Sequence, residues 1–162
     1  METKSVSIQS YNDPPSTDII LDDEELFKIT TLDALNNNEE LINFVMIKST
    51  HKFCSIDFLV INTFNLMSVY VEHKKKKITA SKYNTFFIGF QKLIMIEAYY
   101  GQQKVFLVFD CDDDLYFCEY DEKFLKRDKK IVRGSKVIEI NKSECGVGFN
   151  NFNKKLIESL TL

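Results

Sequence analysis

The first organised stretch of the chain has the apolar spacing of a helix. Its apolar residues recur in steps of three at Leu26, Ile29, Leu32 and Leu35, close to the 3.6-residue period of an α-helix. The acidic residues 22–25 would occupy the first turn, where negative charge is favourable. The pattern predicts a mostly helical but interrupted stretch over residues 21–48.

Asn36-Asn37-Asn38 interrupts this helix and leaves two alternatives for the residues that follow. Asn38 can cap a second helical segment that starts at Glu39. The end of that segment, residues 44–47, fits a short strand equally well, because a short apolar run does not distinguish the two structures.

Two pairs of apolar segments have the composition of β-hairpins. The first pair is residues 54–61 and 66–73, joined by the polar residues 62–65. The second is residues 104–111 and 115–120, joined by three aspartates. Short apolar segments on either side of a polar turn are typical of hairpins. Because these segments are almost continuously apolar, we expect a central sheet that is covered on both faces.

Residues 81–100, between the two hairpins, have the length and spacing of an amphipathic helix. Apolar side chains stand at positions 86, 87, 90, 93 and 94, and Gly101 follows as a helix-ending residue. If the strands on either side of this helix pair in parallel, the connection between them is a crossover.

Shorter elements complete the predicted order. Residues 131–132 and 137–140 predict short strands around Gly134, and residues 152–160 predict a final helix. No repeat or linker divides the chain, so we expect one domain over residues 18–162. The polar residues 1–17 are expected to form a disordered or loosely packed tail. The predicted fold class is α/β, in a mixed α+β arrangement.

Composition and charge exclude several classes of protein. The chain has 162 residues, 44% of them hydrophobic, which is enough for one core. Its net charge of −3 provides no global positive field for nucleic acid, although a local basic strip remains compatible with that partner. Residues 1–13 lack the apolar run of a signal peptide, and no run approaches the ~18–20 apolar residues of a membrane span. We expect a soluble, intracellular protein that is not secreted and has no membrane partner.

The cysteines do not indicate a metal site. The four residues Cys54, Cys111, Cys118 and Cys145 form no zinc-binding pattern with His51 or His73. A chain of this length can build a core without disulfides, so we expect reduced, partly buried thiols.

The candidate chemistry is carried by an acidic pair and a lysine. Asp57 is predicted inside the first strand of the first hairpin, and Glu72 and Lys74 at the end of the second. Residues two apart on a strand point to the same face, and the hairpin brings Asp57 beside them. A buried acid is costly without a partner, and neighbouring carboxylates raise each other's pKa. A divalent cation such as Mg²⁺, which prefers oxygen ligands, relieves both effects.

This arrangement resembles the PD-(D/E)xK nuclease superfamily. Asp57, a turn and then Glu72-His73-Lys74 on the next strand carry the resemblance, although Ile56 stands where the motif often has Pro. Together with the helix and hairpin that follow, the resemblance covers about residues 24–120. It implies a restriction-endonuclease-like αβββαβ core with a central mixed sheet flanked by helices. The chain looks most similar to small members of this type in large DNA viruses and phages, which would place it in a host cytoplasm or a virion.

The resemblance implies a metal-dependent nuclease that hydrolyses phosphodiester bonds, with Mg²⁺ or Mn²⁺ as the cofactor. Asp57 and Glu72 would be metal ligands, and Lys74 the catalytic lysine. Many members use a further acid on the first helix, for which Glu40 is the candidate and Glu39 and Glu25 are the alternatives.

A basic strip beside these residues is the candidate contact with nucleic acid. Lys75, Lys76 and Lys77 follow the motif directly, and Lys82 and Lys92 extend the strip. Some members of the superfamily use a Gln or Lys on the second helix, a place that Gln91 fits. DNA is favoured over RNA as the substrate, and small nucleases of this kind often form homodimers.

The alternative is a catalytically inactive protein of the same fold. It would serve as a nucleic-acid-binding module or as a viral structural or interaction module, because one scaffold can host many functions. In that case the Asp/Glu/Lys group would form ordinary salt bridges.

Overall fold

The computed structural model describes residues 4–8, 17–37, 43–49 and 56–162. In chain order their helices and strands are β1 (Lys4–Ile8), β2 (Thr17–Leu21), α1 (Asp23–Asn36), β3 (Phe44–Lys48), β4 (Phe58–Asn62), β5 (Ser68–Lys76), β6 (Thr85–Gly89), α2 (Phe90–Tyr100), β7 (Val105–Cys111), β8 (Leu115–Glu119), β9 (Lys129–Val132), β10 (Ser135–Asn141), β11 (Gly146–Val147) and α3 (Phe149–Ser159). None of the described helices combines the length and apolarity that a membrane span requires.

The central sheet contains six strands in the order β11-β8-β7-β5-β4-β3. β3, β4 and β5 are antiparallel neighbours, whereas β5 pairs in parallel with β7. α2 lies in the connection between these two parallel strands. The sheet is therefore mixed, and α1, β3–β5, α2 and β7 follow the αβββαβ order. The predicted restriction-endonuclease-like fold is confirmed.

Apolar side chains cover both faces of the sheet, as the continuous apolar strands predict. The apolar cluster between the sheet and helices α1 and α3 includes Phe27, Phe58, Val71, Val108 and Phe152. The cluster on the other face, between the sheet and α2, β6 and β10, includes Phe86, Leu93, Leu107, Phe109 and Ile138. Strands β4, β5 and β7 thus lie in the interior, where a charged side chain needs compensation.

The helix predicted over residues 81–100 is wrong in its first half. Ala80–Lys82 forms one 3₁₀ turn, Thr85–Gly89 is strand β6, and the helix begins only at Phe90. Phe86 and Ile88 are buried whereas Phe87 between them is exposed, which is the alternation of a strand. β6 is stabilised by pairing with the distant β10, so tertiary contacts decide its conformation.

The residues before β4 also differ from expectation. Of the two alternatives for residues 44–47 the strand is correct, since β3 pairs with β4. β4 begins at Phe58, so Asp57 lies immediately before the strand rather than inside it. The predicted second helical segment at residues 38–42 lies outside the described residues.

The N-terminal part of the chain contains two short strands, and the assignment of residues 1–17 as a disordered or loosely packed tail stays a prediction. β1 and β2 form a separate two-stranded antiparallel sheet, with Val6 opposite Ile19. The second hairpin, the short strands around Gly134 and the C-terminal helix occur close to their predicted positions. The assignment of residues 18–162 to one domain stays a prediction.

Candidate functional site

The acidic pair lies where β4 begins beside the middle of β5. Phe58 is opposite Val71 in this antiparallel ladder, which places Asp57 beside Glu72. Asp57 Oδ2 accepts a hydrogen bond of 2.8 Å from the backbone N–H of His73. The charge of Asp57 is, after burial, the main cause that raises the pKa of Glu72, so the two carboxyl groups act on each other. The structure therefore brings together the two acids that the sequence singles out.

Glu72 is the more deeply buried of the two acids. Its residue is 2% exposed, and its Oε2 has no hydrogen-bond donor among the described residues. Burial and then the charge of Asp57 raise the pKa of Glu72 to about 8. Burial also raises the pKa of Asp57, although the bond from His73 opposes it. Because the pKa of Glu72 is raised to about 8, the pair holds a proton near neutral pH.

Two lysines lie beside the other oxygen of Glu72. Lys92 Nζ is 3.2 Å from Glu72 Oε1, and Lys74 Nζ is 3.9 Å from the same atom. Their charges lower the pKa of Glu72 by less than burial and Asp57 raise it. The side chain of Lys74 is 37% exposed and that of Lys92 only 18%, so solvent reaches the site from the Lys74 side.

Lys92, rather than the predicted Gln91, is the residue of the second helix that reaches the acids. Gln91 is exposed to solvent. The buried residues of α2 are Leu93 and Ile96, and Lys92 is one turn before Ile96, on the same side of the helix. The sequence analysis places Lys92 only in the basic strip, because the predicted helix includes Phe86 and Phe87 in its apolar face. When Leu93 and Ile96 define the buried side of the helix, Lys92 falls on that side.

The first-helix acid whose charge acts on the pair is Glu24. The predicted Glu40 and its alternative Glu39 are outside the described residues, so their role stays a prediction. The charge of Glu24 raises the pKa of Asp57, although Glu24 lines a cleft with His73 and Lys75, on the face of β5 opposite to Glu72. Glu24 precedes the buried Phe27 by three residues, so it extends the inner side of α1. That spacing could have indicated it.

Lys48 connects this first helical turn to the sheet. Its Nζ is 3.0 Å from Glu24 Oε2, 3.8 Å from Glu25 Oε1 and 3.9 Å from Asp22 Oδ2. The hydrogen bond to Glu24 is the main cause that raises the pKa of Lys48. Glu25, the other first-helix alternative, thus pairs with Lys48 at the rim of the site.

The predicted basic strip is divided between the two faces of β5. Lys75 points away from Glu72 and Lys74, and its Nζ is 3.9 Å from Asp110 Oδ1. Lys76 lies on the Glu72 face but is partly buried, and its Nζ donates to the Phe87 carbonyl oxygen at 3.4 Å. Burial and the charge of Lys74 lower the pKa of Lys76. Alternation along the strand explains why four consecutive lysines do not form one surface.

Lys77 and Lys82 are the exposed members of the predicted strip. Both are free to approach a phosphate backbone, in contrast to the partly buried Lys76. Their contact with nucleic acid stays a prediction.

His73 has a packing role in this site. It is 5% exposed, stacks on Phe27 with ring centroids 4.3 Å apart, and places Nε2 2.9 Å from Asp110 Oδ2. These contacts lie on the face opposite to Glu72. They fix the backbone of His73, whose N–H holds the carboxyl group of Asp57.

The acidic pair fits a divalent cation. In the described part of the chain Glu72 presents a buried oxygen without a donor, and the strand register places Asp57 beside it. Within the described ranges, no group of three or more His, Cys, Asp and Glu side chains has the arrangement of a metal site. A site with one or two carboxylates, completed by water and phosphate oxygens, is the coordination that Mg²⁺ usually has in proteins.

Comparison with known proteins gives likenesses among solved structures alone. No family model matches the chain, and no curated protein matches it. Among solved structures, it is similar to Hjc, a Holliday junction resolvase from the archaeal hyperthermophile Archaeoglobus fulgidus, at 10% identity and a TM-score of 0.49. The match covers 80% of this chain and 92% of that chain. In element order and sheet topology, this chain has the restriction-endonuclease-like fold that its resemblance to the PD-(D/E)xK superfamily implies.

Proposed function

We propose that this protein is a divalent-metal-dependent nuclease that hydrolyses phosphodiester bonds, with DNA as the favoured substrate. The observation that carries the proposal is the position of Glu72. It is 2% exposed, has an oxygen without a donor among the residues that the structure describes, and its pKa is raised by the charge of the neighbouring Asp57. Such an arrangement is costly for the fold by itself. A cation that both carboxylates share offsets that cost.

In this proposal Asp57 and Glu72 would hold Mg²⁺ or Mn²⁺. A cation bound there would lower the pKa of a water molecule and neutralise charge on the phosphate. Lys74, on the open side of the site, orients the attacking water or stabilises the negative charge that develops in the transition state. Lys92 compensates the charge of Glu72 from the buried side.

The exposed Lys77 and Lys82 are the proposed contacts with the nucleic-acid backbone. Lysine side chains bind phosphates without regard to sequence, and each contact makes binding more sensitive to salt. Because the net charge of the chain is −3, this attraction is local to the site rather than a property of the whole surface.

A second candidate is a protein of the same fold without catalytic activity. The ion pair of 3.2 Å between Lys92 and Glu72 favours it, since an ammonium group already neutralises part of the acidic pair. Such a protein would bind nucleic acid or a partner without cleaving it. Its binding to DNA would depend on salt and would be unchanged in Asp57→Ala.

The direct test is cleavage of labelled DNA and RNA by the purified protein. Linear duplexes, single strands and four-way junctions are incubated with Mg²⁺, with Mn²⁺ or with a chelator. We expect cleavage that requires the metal and falls by about 10²–10⁴-fold in Lys74→Ala, the loss typical of a group that assists proton transfer. Asp57→Ala is expected to lose cleavage as well, because it removes a metal ligand.

Lys154→Ala is the matched control, since Lys154 is an exposed lysine on α3. It should cleave like the wild type, and circular dichroism should show that every variant is folded. A folded wild-type protein that cleaves none of these substrates with either metal would contradict the nuclease proposal. Unchanged cleavage by Asp57→Ala and Lys74→Ala would contradict the assignment of the site.

A further inference from the structure

We propose that Cys118 and Cys145 form a redox-active thiol pair, which a hydroperoxide oxidises to a reversible disulfide between β8 and the start of β11. This modification site is separate from the acidic pair and does not depend on the proposed nuclease activity. It follows from the register of two strands at the edge of the central sheet.

The register places the two cysteines directly opposite each other. β11 pairs antiparallel with β8, with Gly146 opposite Phe117 and Val147 opposite Tyr116. Continued by one residue before β11, this register places Cys145 opposite Cys118. Each thiol is the largest influence on the pKa of the other, so the two side chains lie close together, and Cys145 Sγ also donates to the Asn141 carbonyl oxygen at 3.8 Å.

The pair occupies the kind of ladder position in which side chains approach most closely. Gly148 N–H donates to the Leu115 carbonyl oxygen at 2.7 Å, so Gly148 and Leu115 are a hydrogen-bonded pair. Hydrogen-bonded and non-hydrogen-bonded pairs alternate along an antiparallel ladder, and Cys145 and Cys118, three positions away, are therefore a non-hydrogen-bonded pair. The Cys145 N–H accordingly points elsewhere, to the Lys142 carbonyl oxygen at 3.0 Å.

The spacing of such a pair suits a disulfide. Cα atoms in a non-hydrogen-bonded antiparallel pair are about 4.5 Å apart, and disulfides span Cα distances of roughly 4.4–6.8 Å. A bond between the two sulfur atoms therefore requires little movement of the backbone.

The two thiols differ in a way that assigns their roles. Cys145 is partly exposed, and the hydrogen bond from Cys118 lowers the pKa of its thiol. Cys118 is 8% exposed, and the contact with Cys145 together with burial raises the pKa of its thiol. Because the thiolate is the nucleophile, Cys145 attacks first and Cys118 remains a thiol.

An opening beside the pair gives a small oxidant access. A surface cleft of about 560 Å³ is lined by Cys118 together with Phe124, Arg127 and Glu144. The Arg127 and Glu144 side chains form a salt bridge of 2.9 Å. The charge of Arg127 lowers the pKa of the Cys118 thiol by less than burial and Cys145 raise it. A hydroperoxide is small enough to enter such a cleft.

The reaction proceeds in two balanced steps. The Cys145 thiolate attacks one oxygen of the hydroperoxide, so that an S–O bond forms and the O–O bond breaks. The alkoxide leaves and takes up a proton as an alcohol, and Cys145 becomes a sulfenic acid. Cys118 Sγ then attacks Cys145 Sγ, the S–S bond forms and the S–O bond breaks. Hydroxide leaves and takes the Cys118 proton as water, so two thiols are oxidised and one hydroperoxide is reduced.

The test uses the full chain and hydrogen peroxide as the oxidant, followed by non-reducing peptide mapping. Trypsin releases Cys118 in peptide 105–123 and Cys145 in peptide 143–154. We expect one cross-link between these peptides in the wild type and none in Cys145→Ser or Cys118→Ser. Dithiothreitol should remove the cross-link.

Cys111→Ser is the control variant. It removes the other cysteine of peptide 105–123, a buried residue whose thiol pKa burial raises to about 11. The cross-link should persist in this variant. If Cys118→Ser does not fold, the partly exposed Cys145→Ser decides the question alone.

Oxidation should also raise the melting temperature of the wild type by about 5–10 °C, the scale of a disulfide that closes a loop of a few tens of residues. This shift should be absent in Cys145→Ser. Folded wild-type protein that keeps both thiols under peroxide, or that joins Cys118 to a cysteine other than Cys145, would overturn the proposal.

Discussion

At the scale of single residues, the site is governed by the cost of burying Glu72. A carboxylate that is 2% exposed loses most of its hydration. Lys92 at 3.2 Å and Lys74 at 3.9 Å offset part of that loss. The part of this cost that they do not offset raises the pKa of Glu72 to about 8. Glu72 Oε2 also has no hydrogen-bond donor among the described residues. Both features would disappear on coordination to a cation.

The hydrogen bond between Asp57 and His73 leads to a prediction about two substitutions. Asp57→Asn keeps an oxygen that can accept the His73 N–H, whereas Asp57→Ala leaves that buried N–H unpaired. We expect Asp57→Ala to be less stable than Asp57→Asn by about 1–2 kcal/mol. Urea denaturation measures the difference. Equal stabilities would show that the 2.8 Å hydrogen bond does not stabilise the start of β4.

The central acids could be predicted from the sequence, whereas their partners could not. Asp57, Glu72 and Lys74 are set by alternation along two adjacent strands, which the sequence displays directly. Lys92 and Glu24 depend on the rotation of two helices against the sheet, and this rotation becomes visible only when the buried residues are known. The same alternation also explains why Lys75 lies on the wrong face for the predicted strip.

At the scale of elements, the site is assembled by the β5–α2–β7 crossover. β5 carries Glu72 and Lys74, and it pairs in parallel with β7, with Glu72 opposite Leu107. α2 packs on this sheet through Leu93 and Ile96, which are 0% and 1% exposed. That contact brings Lys92 to the carboxylate, so the ion pair depends on how α2 packs.

Two neighbouring residues of α2 test this packing. Leu93→Ala removes a fully buried side chain and should cost about 2–5 kcal/mol of stability. Ile94→Ala changes a side chain that is 38% exposed, and the cost should be below about 1 kcal/mol. Urea denaturation of both variants gives the comparison. Equal losses would contradict the orientation of α2 described above.

The two hairpins were predictable and β6 was not, for the same physical reason. Residues 104–111 and 115–120 contain enough apolar side chains for a buried strand in almost any context. Residues 85–89 fit either period, since Phe86 and Phe87 are both apolar. Pairing with β10, which is far away in the sequence, stabilises the strand, and no local pattern contains that information.

At the scale of the whole molecule, one sheet carries two chemically separate regions. The acidic pair lies where β4 meets β5, and the thiol pair lies at the opposite edge, where β11 meets β8. The net charge of −3 also means that attraction of a cation, rather than of nucleic acid, is favoured by the average field of the protein. We therefore expect that the protein binds the metal ion before it binds nucleic acid, and that the proposed activity requires this metal binding.

Metal binding should release a proton and strengthen as the pH rises. The pKa of Glu72 is about 8, so at pH 7 the proton held by the acidic pair competes with the cation. Raising the pH from 6 toward 8 removes this competition, and the apparent affinity should increase by up to about tenfold per pH unit. Above the pKa of the pair, the affinity should become independent of pH.

The most direct measurement is a calorimetric titration of the wild type and Glu72→Gln with Mn²⁺ at pH 7, in two buffers that differ in ionisation enthalpy. The expected result is binding to the wild type with release of about one proton per cation, and loss of both in Glu72→Gln. A wild type that binds no Mn²⁺, or a Glu72→Gln variant that binds it equally well, would contradict the claim that these two carboxylates share a cation.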